Sequence, residues 1–127
     1  MTNSQLISKA KQALNNSYSP YSRFKVGAAL LTKSGNVYVG TNIENSSFGA
    51  TVCAERVALF SAIASGEKEF LKIAIVAEKD GEIQNECFPC GICRQTLVEF
   101  CDKDFVVVLG ENKEYTLNEL FPNAFNL

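Results

Sequence analysis

The chain has no histidine among its 127 residues. Histidine is the side chain most often used to move protons near neutral pH and to bind metals, so such chemistry here must use other groups. Long hydrophobic runs are also missing, since no segment approaches the roughly 20 apolar residues of a membrane-spanning helix. The first residues contain no basic stretch followed by an apolar one, as a secretory signal would. We therefore expect no membrane span, a cytoplasmic location and reduced cysteines.

Clusters of positive charge are missing as well. The 12 lysine and arginine residues are scattered among 14 aspartate and glutamate residues, and the net charge is −2. A nucleic-acid partner requires a basic surface, so this charge pattern argues against one. The chain also contains no internal repeat, low-complexity tract or linker, and 46% of its residues are hydrophobic. These features predict one domain that spans residues 1–127.

The hydrophobic pattern alternates between helical and extended periodicity, which predicts an α/β fold. The first strands flank a Lys-Ser-Gly-Asn turn and are expected to form a hairpin. The later strands are short, continuous apolar runs, which are typical of central strands covered on both faces. The predicted helices cover residues 6–14, 54–64 and 90–101, and the predicted strands cover residues 26–31, 37–42, 73–77 and 105–109.

Three cysteines stand in segments with metal-binding spacing. Cys53 opens a Cys-Ala-Glu-Arg segment, and Cys90 and Cys93 belong to a Pro-Cys-Gly-Ile-Cys-Arg segment. Zn²⁺ accepts thiolate ligands, and the start of a helix favours ionised sulfur. The Cys-x-x-Cys pair alone leaves other interpretations open: a redox dithiol, half of a four-cysteine zinc site, or ordinary core thiols. Cys87 and Cys101 are less well placed for a metal, and we expect both to be free structural thiols.

A carboxylate, Glu55, lies two residues after the first of these cysteines. Three protein ligands with one open position are typical of catalytic zinc, whereas structural zinc usually has four. Glu55 would then lie beside the metal, where it could act as a general acid and base. An acidic residue in the first turn of a helix is also favoured by the helix dipole. Without the flanking cysteines, that second interpretation would be preferred.

The complete pattern, Cys-x-Glu followed by Pro-Cys-x-x-Cys, is the signature of zinc deaminases in its three-cysteine form. Further segments extend the match. They are Ser-Pro-Tyr-Ser-Arg-Phe-Lys-Val-Gly-Ala-Ala-Leu-Leu at residues 19–31, Gly-Thr-Asn-Ile-Glu-Asn at residues 40–45 and Phe-Pro-Asn-Ala-Phe at residues 121–125. In these segments the chain resembles the small, homotetrameric cytidine deaminases, and the resemblance covers nearly its whole length.

The resemblance implies three α/β/α layers around a mixed sheet of about five strands. It implies one Zn²⁺ per chain, held by Cys53, Cys90 and Cys93. The implied reaction is hydrolytic deamination of cytidine and 2′-deoxycytidine to uridine and 2′-deoxyuridine, in which hydroxide on zinc attacks C4 and Glu55 moves the protons. Arg56 matches an arginine that donates hydrogen bonds to the ligand sulfurs. The physiological role implied for this family is pyrimidine salvage.

The resemblance also assigns substrate-binding residues. Asn42 and Glu44 match the residues that hold the ribose hydroxyls, and alternate positions of an extended segment face the same side. Phe24 matches an aromatic ring that packs on the pyrimidine, and the backbone N–H of Ala54 would donate to the base carbonyl. Phe125 matches an aromatic residue that enters a neighbouring subunit's site. The expected assembly is therefore a homotetramer with active sites at subunit interfaces.

Three alternatives stay open at this point. A blasticidin-type deaminase shares the zinc motifs but lacks the Asn-Ile-Glu-Asn segment found here at residues 42–45. A nucleotide or polynucleotide deaminase usually has histidine as its first ligand and more basic surface. A zinc-stabilised binding module would use the metal for folding alone. One departure from the family is Phe48, where a tyrosine is common. Phenylalanine lacks the hydroxyl with which that tyrosine could contact the 5′ side of the nucleoside or the subunit interface.

Overall fold

The computed structural model describes residues 1–127. It contains four α-helices and six strands. None of the helices has the length and hydrophobicity that a bilayer crossing requires. In chain order the elements are α1 Asn3–Ala13, β1 Phe24–Thr32, β2 Val37–Thr41, α2 Ala54–Ala64, β3 Phe70–Lys79, β4 Glu82–Ile83, α3 Gly91–Phe100, β5 Val106–Gly110, β6 Lys113–Thr116 and α4 Leu117–Leu120.

The strands form one mixed sheet in the order β2-β1-β3-β5-β6, with the short β4 paired to β3. β1 pairs antiparallel with both β2 and β3, and β5 pairs antiparallel with β6. β3 and β5 are parallel. Parallel neighbours need a crossover connection, and α3 lies within the segment that joins them. This mixed pairing agrees with the sheet that the resemblance implied.

Helices cover both faces of the sheet. Ile73 and Ile75 of β3 pack in a buried cluster with Leu59 of α2 and Leu97 of α3. The alternate residues of β3 pack in a second buried cluster with Leu6 and other residues of α1. Because side chains alternate between faces along a strand, a strand covered on both sides must be apolar at every position. The α/β/α arrangement is thereby confirmed.

Most predicted elements are present, with shifted ends. The predicted hairpin and the helix at 54–64 are confirmed, and β3 extends the predicted strand at both ends. The sequence pattern missed β4, β6 and α4. β6 has the sequence Lys-Glu-Tyr-Thr and is an edge strand without a continuous apolar run. An edge strand that is only partly buried leaves a weak hydrophobic signal, which explains why it was missed.

Two glycines let helices lie directly against the sheet. A Cβ atom at Gly27 would lie 2.1 Å from the carbonyl oxygen of Ala10 in α1. At Gly40 in β2, it would lie 2.4 Å from the carbonyl oxygen of Ala54 and 2.5 Å from the nitrogen of Ala58. These neighbours are backbone atoms and cannot rotate away. Gly40 therefore sets the distance between β2 and α2, the helix that carries Glu55.

We expect Gly40→Ala to lower the free energy of unfolding by roughly 3 kcal/mol, because the added methyl group forces β2 away from α2. Gly49→Ala is the matched control, since a Cβ atom there meets nothing within 4 Å. Urea unfolding at equal protein concentration measures both variants. Equal stability of the two variants would show that the contact at Gly40 relaxes without cost.

Candidate active site

The three cysteines of the predicted zinc site meet where α2 and α3 begin. Cys53 immediately precedes α2, Cys90 immediately precedes α3, and Cys93 lies in the first turn of α3. The three sulfur atoms lie within 4.8 Å of one another, and those of Cys53 and Cys90 are 3.7 Å apart. Tetrahedral zinc with Zn–S bonds of about 2.3 Å places sulfurs about 3.8 Å apart. The cluster therefore fits one zinc ion.

The sulfur atoms are coupled by hydrogen bonds. The thiol of Cys93 donates to Cys53, and this bond together with Arg56 lowers the pKa of Cys53 to about 5. The same bond raises the pKa of Cys93, because it stabilises the protonated thiol. Nη2 of Arg56 lies 3.7 Å from the Cys53 sulfur. The lowered pKa favours the thiolate form of Cys53, and zinc would displace the remaining thiol protons.

The other two cysteines do not belong to the cluster. Burial raises the pKa of Cys87 to about 11 and that of Cys101 to about 12. Both are free thiols. Cys101 ends α3, at the opposite end of the helix from Cys90. The expectation that neither residue completes a four-cysteine site agrees with this geometry.

Glu55 is the second residue of α2 and is only 5% exposed. Burial, with a smaller contribution from the neighbouring Cys53 thiolate, raises the pKa of its carboxyl group to about 7. A carboxyl group with a pKa near neutrality can both accept and release a proton at physiological pH. The position beside the sulfur cluster and the raised pKa are the properties expected of a proton-transfer group.

A pocket of about 320 Å³ opens over these residues. Its volume is in the range of small-molecule sites. Two cysteines of the sulfur cluster, Glu55 and the predicted substrate-binding residues line this pocket together. These are Cys53, Cys90 and Glu55 on one side, with Phe24, Asn42, Glu44 and Ala54.

A larger cavity, of about 400 Å³, lies elsewhere. It is formed around Cys101 at the end of α3 and by the segment from Leu117 onwards. None of the three clustered cysteines lines it. Volume alone would select this cavity, whereas the sulfur cluster and the buried carboxylate select the smaller pocket.

Asn42 and Glu44 are held by hydrogen bonds along the pocket edge. Asn42 is 8% exposed, and its amide contacts the backbone of β1. The carboxylate of Glu44 accepts hydrogen bonds from the hydroxyl of Ser22 and from the N–H groups of Tyr21 and Ser22. The Ser22 hydroxyl is the main cause that lowers the pKa of Glu44. Glu44 therefore presents a charged acceptor to the pocket.

The base-binding groups predicted from the sequence also reach the pocket. Phe24 is half-buried at the start of β1. Ala54 is fully buried at the start of α2, and its N–H has no hydrogen-bond acceptor among the side-chain or backbone groups of the chain. Unpaired N–H groups at a helix start are donors for a ligand. An aromatic surface and a free donor are thus available in the same pocket.

Phe125 is not part of this pocket. Its side chain is 65% exposed, and its carbonyl oxygen accepts a hydrogen bond from Nε2 of Gln95 at 3.0 Å. Phe48 is 76% exposed and packs edge-on against Tyr21, with ring centroids 6.0 Å apart. Within one chain, neither residue touches the sulfur cluster. The role predicted for Phe125 would require a second chain, whereas Phe48 borders a pocket together with Tyr21, Ser22 and Glu44 of its own chain.

Six lining residues were missed in the sequence, three of them β-branched: Val26, Thr51 and Val52. The other three are Ser22, Cys87 and Phe88. The Phe88 ring packs on Tyr115 of β6, with centroids 5.3 Å apart. Cys87 and Phe88 directly precede the Pro-Cys pair, so their closeness to Cys90 along the chain was the available signal. Ser22 offered no such signal, because its contact with Glu44 spans 22 positions.

Comparison with known proteins agrees with the site. Residues 1–109 match the family model of the cytidine and deoxycytidylate deaminase zinc-binding region. A cytidine deaminase from Halalkalibacterium halodurans is 47% identical and covers 98% of this chain and 95% of its own. A crystal structure of cytidine deaminase from Burkholderia pseudomallei has a TM-score of 0.88 at 44% identity and covers 98% of this chain and 100% of its own. A blasticidin-S deaminase from Bacillus cereus is 36% identical over 76% of this chain. The chain therefore belongs to the cytidine and deoxycytidylate deaminase zinc-binding family.

Proposed function

We propose that this protein catalyses the hydrolytic deamination of cytidine and 2′-deoxycytidine, which consumes water and yields uridine or 2′-deoxyuridine and ammonia. The observation that carries this proposal is the buried carboxylate of Glu55 beside three clustered cysteine sulfurs in one pocket. We also propose that residues 1–127 act as one domain, in the cytoplasm, in pyrimidine salvage.

The mechanism assigns proton transfer to Glu55. Cys53, Cys90 and Cys93 would hold zinc, which would supply the Lewis acidity that makes water a nucleophile near neutral pH. The Glu55 carboxylate takes a proton from the attacking water and delivers it to ring N3. It then takes the proton of the hydroxyl group now on C4 and delivers it to the departing amino group, so that ammonia leaves and the C4 carbonyl forms. One group with a pKa near neutrality serves both steps because the pocket holds it between water and base.

The remaining pocket residues orient the nucleoside. The free N–H of Ala54 donates to the base carbonyl, and the Phe24 ring packs against the pyrimidine. Asn42 and Glu44 bind the sugar. These contacts hold C4 in place and exclude alternative poses, which lowers the entropic part of the barrier.

Arg56 compensates charge in the sulfur cluster. Three thiolates on Zn²⁺ leave a net charge of −1, which weakens the metal as a Lewis acid. The guanidinium group lies 3.7 Å from the Cys53 sulfur and withdraws charge from it. We propose that this contact keeps the zinc electrophilic despite its all-sulfur ligand set.

The direct test follows ultraviolet absorbance when zinc-loaded protein is mixed with cytidine, with ammonia release as confirmation. Blasticidin S and adenosine serve as parallel substrates, because a blasticidin-S deaminase is among the relatives. Conversion of cytidine with little activity on the other two supports the proposal. Folded, zinc-containing protein that leaves cytidine unchanged would overturn it and favour another amino-bearing heterocycle or a structural metal.

We propose that the protein assembles as a homotetramer in which Phe125 completes the site of a neighbouring subunit. The terminal segment carries exposed apolar side chains, including Phe125, which is 65% exposed, and the fully exposed Leu127. Exposed apolar groups of this kind favour burial in an interface.

Phe125→Ala is expected to lower kcat/KM for cytidine by roughly tenfold, the effect of losing about 1.4 kcal/mol of aromatic burial over the base. Leu127→Ala, in the same segment, is the control and should retain activity. Steady-state kinetics and analytical ultracentrifugation together test this assignment. A fully active monomer, or an unaffected Phe125→Ala variant, would contradict it.

A further inference from the structure

The loop between α1 and β1 is hydrogen-bonded to the segment after β2 that carries Asn42 and Glu44. The N–H of Tyr18 donates to the carbonyl oxygen of Asn42 at 3.1 Å, and the N–H of Glu44 donates to the carbonyl oxygen of Tyr18 at 2.8 Å. Tyr18 and Ile43 form an isolated parallel bridge. The loop and the sugar-binding edge of the pocket therefore form one unit.

Within this unit, the amide of Asn42 has only one hydrogen-bonding possibility left. Its oxygen accepts from the N–H of Val26 at 2.9 Å and from the hydroxyl of Ser17 at 2.5 Å, which uses both lone pairs. Its nitrogen donates to the carbonyl oxygen of Phe24 at 2.7 Å. If the amide were flipped, its NH₂ group would face the N–H of Val26 and its oxygen would face the carbonyl oxygen of Phe24, so that neither hydrogen bond could form. Asn42 can therefore offer the pocket a single N–H donor and no acceptor.

The carboxylate of Glu44 is similarly committed. Oε1 accepts from the N–H groups of Tyr21 and Ser22, at 2.9 and 3.1 Å. Oε2 accepts from the Ser22 hydroxyl. An ionised carboxylate has about four acceptor positions, so one remains, on Oε2. Asn42 and Glu44 together offer one donor and one acceptor, which is the complement of one hydroxyl group.

We propose that Ser22 and Ser17 are positioning residues for sugar recognition, which set the direction and polarity of the Glu44 carboxylate and the Asn42 amide. Ser22 holds Oε2 of Glu44 by a charge-assisted bond. Ser17 occupies the second lone pair of Asn42 and so removes an acceptor that could pair with the wrong group. Of the two, Ser22 has the larger effect, because two backbone groups orient the Asn42 amide without Ser17. This inference rests on the proposed deamination of nucleosides.

The test compares Ser22→Ala with wild type on cytidine and on 2′,3′-dideoxycytidine, which lacks both ring hydroxyls. We expect KM for cytidine to rise about tenfold, as for loss of a hydrogen bond to a charged group, with kcat nearly unchanged. KM for the dideoxy analogue should rise much less than KM for cytidine, because the analogue makes no bond to Glu44. Any rise with the analogue measures the loss of the bond that the Ser22 hydroxyl accepts from the N–H of Phe24 at 3.0 Å. Ser22→Thr should restore the wild-type KM, because Ser22 is exposed and the hydroxyl is retained.

Two further variants separate positioning from general damage. Ser19→Ala alters the same loop, but the Ser19 hydroxyl contacts Ser17 and neither of the sugar-binding side chains, so KM should not change. Adding Ser22→Ala to Glu44→Gln should raise KM no further than Glu44→Gln alone, because both act through one contact. Thermal unfolding checks that each variant is folded.

The outcomes distinguish this inference from the proposed function. Equal increases in KM for both substrates, or an unchanged KM for cytidine in Ser22→Ala, would overturn the positioning role while the deaminase activity stands. A wild-type protein that neither converts cytidine nor binds uridine in calorimetry would overturn the proposed function and this inference with it.

Discussion

Glu55→Gln is expected to lower kcat for cytidine by about 10² to 10⁴-fold, the usual contribution of a positioned general acid and base. Glutamine has nearly the same shape and can still hydrogen bond, but it cannot accept a proton from water or deliver one to N3. Because the carboxyl group is buried, its replacement by a neutral amide removes a desolvation cost and should not unfold the chain. Zinc content should remain at about one ion per chain.

The matched control for this variant is Glu119→Gln. Glu119 is also an acidic residue in the first turn of a helix, but it lies in α4, away from the pocket. If the only role of Glu55 were a favourable interaction with the helix dipole, the two variants would behave alike. Both would lose a little stability and no turnover. Stopped-flow absorbance, metal analysis and thermal unfolding together decide the matter. Full activity in Glu55→Gln would remove the proton-transfer role from this residue.

Cys90→Ser is expected to lower both zinc content and activity by more than 10²-fold at limiting zinc, because a neutral hydroxyl is a poor ligand for Zn²⁺. Cys90 is exposed, so the change of sulfur to oxygen costs little packing. The remaining pair, Cys53 and Cys93, offers an incomplete ligand set. Addition of a strong chelator to the wild-type protein should cause the same loss of activity, and added zinc should restore it.

Cys101→Ser provides the control for the metal site. Cys101 is a free thiol outside the sulfur cluster, so this variant should keep the zinc content and activity of the wild type. Metal analysis by mass spectrometry gives the zinc stoichiometry of each variant. A redox dithiol would behave differently: activity would then depend on thiol oxidation state and would survive the chelator. Retention of one zinc by Cys90→Ser would show that another group completes the site.

The chemistry of the site could be predicted from the sequence because its groups are close together along the chain. Glu55 follows Cys53 by two positions, and Cys90 and Cys93 are separated by one helical turn. Spacing within a helix start determines which side chains share a face, whatever the rest of the fold does. These two segments lie about 35 residues apart along the chain. That they meet at one site was predicted from a known family signature, and not from the spacing of residues within one segment.

The outer part of the site could not be predicted in this way. The bond from Ser22 to Glu44 depends on the loop before β1 lying against the segment after β2. The placement of Phe88 depends on its packing against β6, a polar edge strand that the hydrophobic pattern missed. Neither contact produces a periodic pattern in the sequence, because each joins residues that are distant along the chain.

By itself, the sequence determined the thiolate character of the metal ligands, the position of the proposed general acid and base, and the alternation of helices and strands, since these depend on residue type and short spacing. Only the tertiary structure decided which lone pairs of Asn42 and Glu44 stay free, and that Phe125 lies outside its own chain's pocket. Strand pairing and helix packing set those distances. They are properties of the whole sheet, determined by the burial of both its faces, and no short segment contains them.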